Sequence, residues 1–140
     1  MFDTKEYNKL KRKYGGYSSW AIWDVEDEKN VRDFLARAMA RYGYQVTTTS
    51  CVKEAIETMN REGDKFDLLF SDVVLPDGNG VNLADSIVSN NPNIRIILCS
   101  GYTDHKSQWP LIQERGFRFM SKPFVLATLL ETLRETLESK

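Results

Sequence analysis

The feature that most limits what this chain can become is an alternation. Short apolar runs of strand-forming residues, each closed by turn or polar residues, trade places with stretches of helical periodicity. Ala21–Val25 reads as a first strand. It is followed by Val31, Phe34, Leu35, Ala38, Met39 and Tyr42 on one helical face, stopped by Gly43. Tyr44–Thr48 is a second strand, and Ser50 is placed to cap a helix carrying Val52, Ala55, Ile56 and Met59 that ends at Gly63. Phe66–Asp72 is the third strand, followed by a helix bearing Val81, Leu83, Ala84, Ile87 and Val88 that Pro92 closes. Ile94–Cys99 is the fourth, and Asp104–Arg115 reads as helical, kinked or restarted at Pro110. Phe117–Met120 is the fifth, and Leu126, Leu129, Leu130, Leu133 and Leu137 line a final helix. Five strands alternating with five helices predict a parallel sheet wrapped on both faces through right-handed crossovers. A barrel needs eight such units, so the sheet stays open and doubly wound.

A chain of 140 residues is one domain with room for a core that needs no staples. No apolar run approaches membrane-spanning length and no secretory pattern opens the chain, so a membrane partner is not expected. The net charge of −1 argues against a surface given over to nucleic acid. That charge is uneven. Residues 1–20 carry Lys5, Lys9, Lys11, Arg12 and Lys13 against Asp3 and Glu6, so this segment is +3 and the remainder −4. Residues 1–20 read as an N-terminal extension, either a linker, a short helix with Tyr7, Leu10 and Tyr14 on one face, or a basic docking arm; residues 21–140 form the domain proper. Cys51 and Cys99 are widely separated and read as reduced thiols, His105 has no metal-ligand spacing, and a cytoplasmic protein is expected.

The chemistry concentrates where strands end. Asp72 closes the third strand, immediately before the turn cluster Pro76-Asp77-Gly78-Asn79-Gly80. Taken locally, it reads equally as a solvated turn residue or a reactive one. In a parallel sheet, however, all strand C-ends share one edge, and ligands of open α/β sheets bind in the crevice beyond it. Glu26 and Asp27 follow the first strand, Ser100 the fourth and Lys122 the fifth. Carboxylates brought that close cannot all stay ionised without a cation, and Mg²⁺, an oxygen-seeking ion, would resolve the conflict. A carboxylate in such a cluster can attack phosphorus, while a lysine and a hydroxyl neutralise the transferring oxygens.

Over residues 21–139 these features together resemble a response-regulator receiver domain of two-component signalling. They are the acidic pair Glu26-Asp27, the Asp-x-x-x-Pro-x-x-x-Gly pattern of Asp72, Pro76 and Gly80, Ser100-Gly101 and Lys122-Pro123. The resemblance implies a flavodoxin-like (CheY-like) three-layer α/β/α fold. It implies Asp72 as phosphoacceptor and Mg²⁺ held by Asp27, Asp72 and the Val74 backbone carbonyl, with Glu26 acting through water. Lys122 and Ser100 would contact the phosphoryl group, Ser100 and Phe119 would form the switch, and Val74 and Tyr102 would gate water to the acyl phosphate. Lys122-Pro123 is expected to be cis. A histidine kinase or phosphotransfer domain would supply the phosphoryl group, and a downstream protein or output domain would read the result, with no direct nucleic-acid contact. Ser100-Gly101-Tyr102 is similar to C-terminal receivers of hybrid sensor histidine kinases.

One residue departs from that pattern. Asp24 interrupts the usually apolar first strand, and a charge there is costly unless paired or neutralised. Either Asp24 reaches a buried partner, or the strand is distorted, or the segment has been altered. The placement of Glu26-Asp27 turns on which of these holds, and an acidic cluster damaged at Asp24 would leave a pseudo-receiver, a phosphorylation-independent protein-interaction module. The Trp23 and Trp109 side chains read as packing.

Overall fold

In the computed structural model, residues 20–101 and 106–139 are described. Strand β1 is Ala21–Val25, followed by helix α1 (Lys29–Arg41), β2 (Gln45–Thr49) and α2 (Val52–Glu62). A 3₁₀ turn, Gly63–Lys65, leads into β3 (Leu68–Asp72) and α3 (Gly80–Asn90), with a two-residue ribbon, Val74–Leu75 against Gly78–Asn79, between them. Strand β4 (Arg95–Ser100), α4 (Trp109–Arg115), β5 (Arg118–Ser121) and α5 (Leu126–Glu138) complete the chain. The sheet order is β2-β1-β3-β4-β5, every pair parallel. The five strands stand within two residues of where the apolar runs put them.

Alternation along each strand builds two cores. Ile22, Leu68, Phe70 and Ile97 face α1 and α5, where Leu35, Met39, Leu129, Leu130 and Leu133 cover them. Trp23, Val25, Leu69, Ile96 and Leu98 face the other way, onto Ala55 of α2, Val81, Ala84 and Ile87 of α3, and Ile112 of α4. The central strands are buried on both faces, which is why they read as continuous apolar runs. Each fully buried Leu or Ile contributes roughly 1.5–3 kcal/mol relative to exposure.

Three expectations change. Helix α4 begins at Trp109 rather than Asp104. Lys106, Ser107 and Gln108 form a turn, and Pro110 lies in the first helical turn, where its missing N–H has no partner to lose. Ser50 does not cap α2. It donates from its backbone N–H and hydroxyl to Glu54 Oε1, at 2.7 and 2.6 Å. The cap comes from 25 residues away, where Asp77 accepts the N–H groups of Val52 at 2.8 Å and Lys53 at 2.9 Å. Asp24 finds no buried partner, since neither carboxylate oxygen has a hydrogen bond, yet β1 is undistorted and pairs residue for residue with β2 and β3. Trp23 stacks on Phe66 (4.6 Å between ring centroids) and donates to Thr49 Oγ1, while Trp109 meets Phe119 edge-on; both are packing residues. The Lys122-Pro123 bond is cis. Residues 1–19, Tyr102 and His105 lie outside the described residues, and with them the extension's structure and one gating position. Among the described residues, no helix is long and apolar enough to cross a membrane.

Candidate functional site

The chain leaves β1 toward β2 on one side and resumes at β3 on the other, so a crevice opens beyond the C-ends of β1 and β3. A cleft of about 360 Å³ lies there, lined by Glu26, Asp27, Glu28, Asp72, Val74, Leu75, Pro76, Cys99, Ser100, Gly101 and Lys122. Six of the residues singled out from sequence (Glu26, Asp27, Asp72, Val74, Ser100 and Lys122) meet in it. Phe119 does not line the cleft. It sits on β5, its ring 5.3 Å from that of Trp109.

Local structure places each group. Gly80 lets α3 abut the end of β3, because a Cβ there would lie 2.1 Å from the Asp72 carbonyl oxygen. Gly80 N–H closes the loop by donating to the Val73 carbonyl at 2.7 Å, and Asn79 caps α3 by accepting from Asn82 N–H at 2.9 Å. Arg32 reaches back from α1 and donates to the carbonyls of Glu26 and Asp27 at 2.8 and 3.3 Å, holding the turn that carries both acids. The Ser100 carbonyl accepts from Lys122 N–H at 2.8 Å, which ties the ends of β4 and β5 together.

Lys122 Nζ lies 2.7 Å from Asp72 Oδ1 and 3.1 Å from Glu26 Oε1. One carboxylate oxygen from each of Glu26, Asp27 and Asp72 lies within 4.8 Å of the others. Asp27 is exposed, whereas Glu26 and Asp72 are buried. Burial pushes the Glu26 pKa up, the neighbouring Asp72 adds to it, and the Glu28 N–H partly offsets both. Burial opposes the Lys122 charge, but the carboxylates of Asp72 and Glu26 outweigh it and raise the ammonium pKa. Asp24, two residues short of the edge, is raised well above the carboxylate range by burial first, then by Glu26 and Asp72. Three acids facing one ammonium form an oxygen-only donor set with excess negative charge, which fits a hard divalent cation.

Two contributors were not visible in the linear pattern. Arg32 holds the acidic turn only because α1 folds back over it. Cys99 is the register partner of Asp72 across β3 and β4, and its Sγ lies 3.3 Å from Asp72 Oδ1. Burial keeps that thiol protonated, its pKa well above the usual value.

The sequence model of the response regulator receiver domain matches residues 22–134. The chain is 36% identical over 116 residues to sensor kinase CckA of Brucella abortus, a match covering 83% of this chain and 12% of that protein. It is 30% identical to the response regulator receiver protein CpdR of the same organism, covering 81% and 92% respectively. It is also 30% identical to the transcriptional regulator NtrC of Azospirillum brasilense, of which it spans 25%. Among solved structures, the non-phosphorylated HemR receiver domain of Leptospira biflexa superposes with a TM-score of 0.76 at 26% identity, covering 87% of this chain and 97% of that one. A receiver domain protein from Clostridium thermocellum gives 0.77 at 18% identity, covering 85% and 94%, and supports the fold alone. With the sheet order, the strand-end cleft and the family match in agreement, the chain belongs to the response regulator receiver domains of two-component systems.

Proposed function

We propose that Asp72 accepts a phosphoryl group from the phosphohistidine of a histidine kinase or phosphotransfer domain, and that the phosphorylated state switches a protein-interaction surface. The observation that carries this is the 2.7 Å contact between Lys122 Nζ and Asp72 Oδ1, at the mouth of a cleft shared with Glu26 and Asp27. Lys122 balances the charge on Asp72 and is in reach of an incoming phosphoryl oxygen. Asp27, Asp72 and the Val74 carbonyl would hold Mg²⁺ directly, with Glu26 assisting through water. When bound, the ion would neutralise the charge that Asp72 shares with the phosphoryl oxygens. Ser100, at the end of β4, would hydrogen-bond the arriving group, and Phe119 would carry the change to β5. Val74, 54% exposed beside the cleft, and Tyr102 would shield the acyl phosphate and slow its hydrolysis. A half-life of seconds would count against that shielding role.

Labelling with acetyl phosphate tests this reading. Uptake that requires Mg²⁺ and is lost in Asp72→Asn, with the far-ultraviolet circular dichroism unchanged, supports it. A parent protein that takes no label under those conditions favours the phosphorylation-independent module instead. That alternative rested on damage at Asp24, and the regular pairing of β1, with Glu26 and Asp27 at the cleft, speaks for the switch. Similarity to part of a sensor kinase and part of a transcriptional regulator is compatible with a receiver linked to either kind of output. A cytoplasmic setting follows from a phosphohistidine donor.

A further inference from the structure

We propose that the Cys99 thiol is a positioning residue for phosphoryl acceptance: its S–H, together with the Lys122 ammonium, holds Asp72 Oδ1 and so fixes the rotation of the accepting carboxylate. This deepens the acceptor reading and rests on it. Cys99 is 1% exposed and lies directly across the ladder from Asp72, with Sγ 3.3 Å from Oδ1. Lys122 Nζ contacts the same oxygen at 2.7 Å. The two donors come from different strand ends and converge on one atom, which fixes the rotation of the carboxylate plane. A thiol suits the place because it faces two environments at once. It packs among Ile97, Met120 and Leu130 as a small apolar group, yet offers the weak donor that the carboxylate needs. A valine would fill the space without donating, and a serine would donate but place a hydroxyl against apolar neighbours.

In the step itself, a carboxylate oxygen of Asp72 attacks phosphorus and a new P–O bond forms. The bond from phosphorus to the donor's leaving group breaks, and that group departs with the electron pair. The step consumes the carboxylate of the Lys122–Asp72 ion pair, so no proton is transferred, and the thiol keeps its own.

The test compares initial labelling rates with acetyl phosphate at saturating Mg²⁺ for the parent chain, Cys99→Ser and Cys99→Val. If the thiol orients Asp72, Cys99→Val is slowed about three- to tenfold, the rate equivalent of one hydrogen bond. Cys99→Ser stays nearer the parent rate despite being the less stable variant in urea. If Cys99 only packs, the order reverses, with valine at or above serine, and the role is overturned. A second readout needs neither variant to fold. In a Cys51→Ser background, the S–H infrared band of Cys99 should move to the free-thiol frequency on Asp72→Ala, and an unmoved band overturns the contact. A parent that takes no label refutes the acceptor reading itself and the role with it, whereas a labelled parent with equal Val and Ser rates refutes the role alone.

Discussion

Asp24 and Asp72 make a natural pair to compare. They lie on adjacent parallel strands and on the same face of the sheet, since Asp24 stands opposite Phe70 and Asp72 follows two residues later. Both are buried, at 0% and 6% exposure. Asp72 touches Lys122, Cys99 and an open cleft, while Asp24 touches no donor at all. The difference is one of position along the strand. At the C-terminal edge, the ends of neighbouring strands bring an ammonium and a thiol to a carboxylate. Two residues further in, no donor reaches the carboxylate, and Arg32 and Lys122 act on it only from a distance. Burial is therefore common to both acids, and what sets Asp72 apart is its place at an edge, with donors arriving from neighbouring strands.

The largest expected effect would break this contrast outright if it failed. Asp72→Asn should abolish acetyl phosphate labelling, whereas Asp24→Asn should leave it in place; loss of label in both would mean that Asp24 belongs to the site. Next, Asp24→Val should stabilise the fold, by about 1–3 kcal/mol, because it removes a buried polar group that has no hydrogen-bond partner. Urea midpoints would report it. The sign with pH follows from the raised pKa. The native state must keep a proton that the unfolded chain releases above the ordinary carboxylate range, so the parent loses stability as pH rises from there. The gain from valine should thus be larger at pH 8 than at pH 5, and a gain independent of pH would show that Asp24 is ionised in the fold.

A third expectation concerns the metal. Mg²⁺ at a hundredfold excess over its Kd should add about 2.7 kcal/mol of stability to the parent. Chelator should remove that increment, Asp27→Asn and Asp72→Asn should lack it, and Asp24→Asn should retain it. The smallest effect is that of Asp77→Ala. It frees the first N–H groups of α2 and unfastens the ribbon carrying Val74, so the melting temperature should fall slightly and Mg²⁺ binding should weaken. An unchanged Mg²⁺ affinity would detach Asp77 from the site.

Much of this architecture could be read from one dimension because its signals are local. The apolar runs ending at Val25, Asp72 and Cys99 mark strands buried on both faces, and every strand in a parallel sheet delivers its last residues to the same edge. Once the alternation is accepted, Glu26, Asp27, Asp72, Ser100 and Lys122 must meet. What stayed hidden depends on register or on long reach. Cys99 could be assigned to the Asp72 carboxylate only after β3 and β4 were aligned, because a shift of one residue turns its side chain to the opposite face. Asp77 looked like a turn residue and is one, yet its carboxylate also serves a helix 25 positions earlier. Ser50 carried the right chemistry for a cap, but its hydroxyl was taken by Glu54. Asp24 looked incompatible with a strand, and the strand formed around it because pairing on both sides and an apolar face tolerate one neutralised acid.

The seat of Gly80 against the Asp72 carbonyl has a consequence for how such a chain can diverge. Since even one methyl group has no room there, the spacing between the acidic strand end and the following helix is set by backbone contact, independently of which side chains surround it. Val74 and its neighbours on the loop can be exchanged without disturbing that contact, and the ruler that measures out the pocket stays the same.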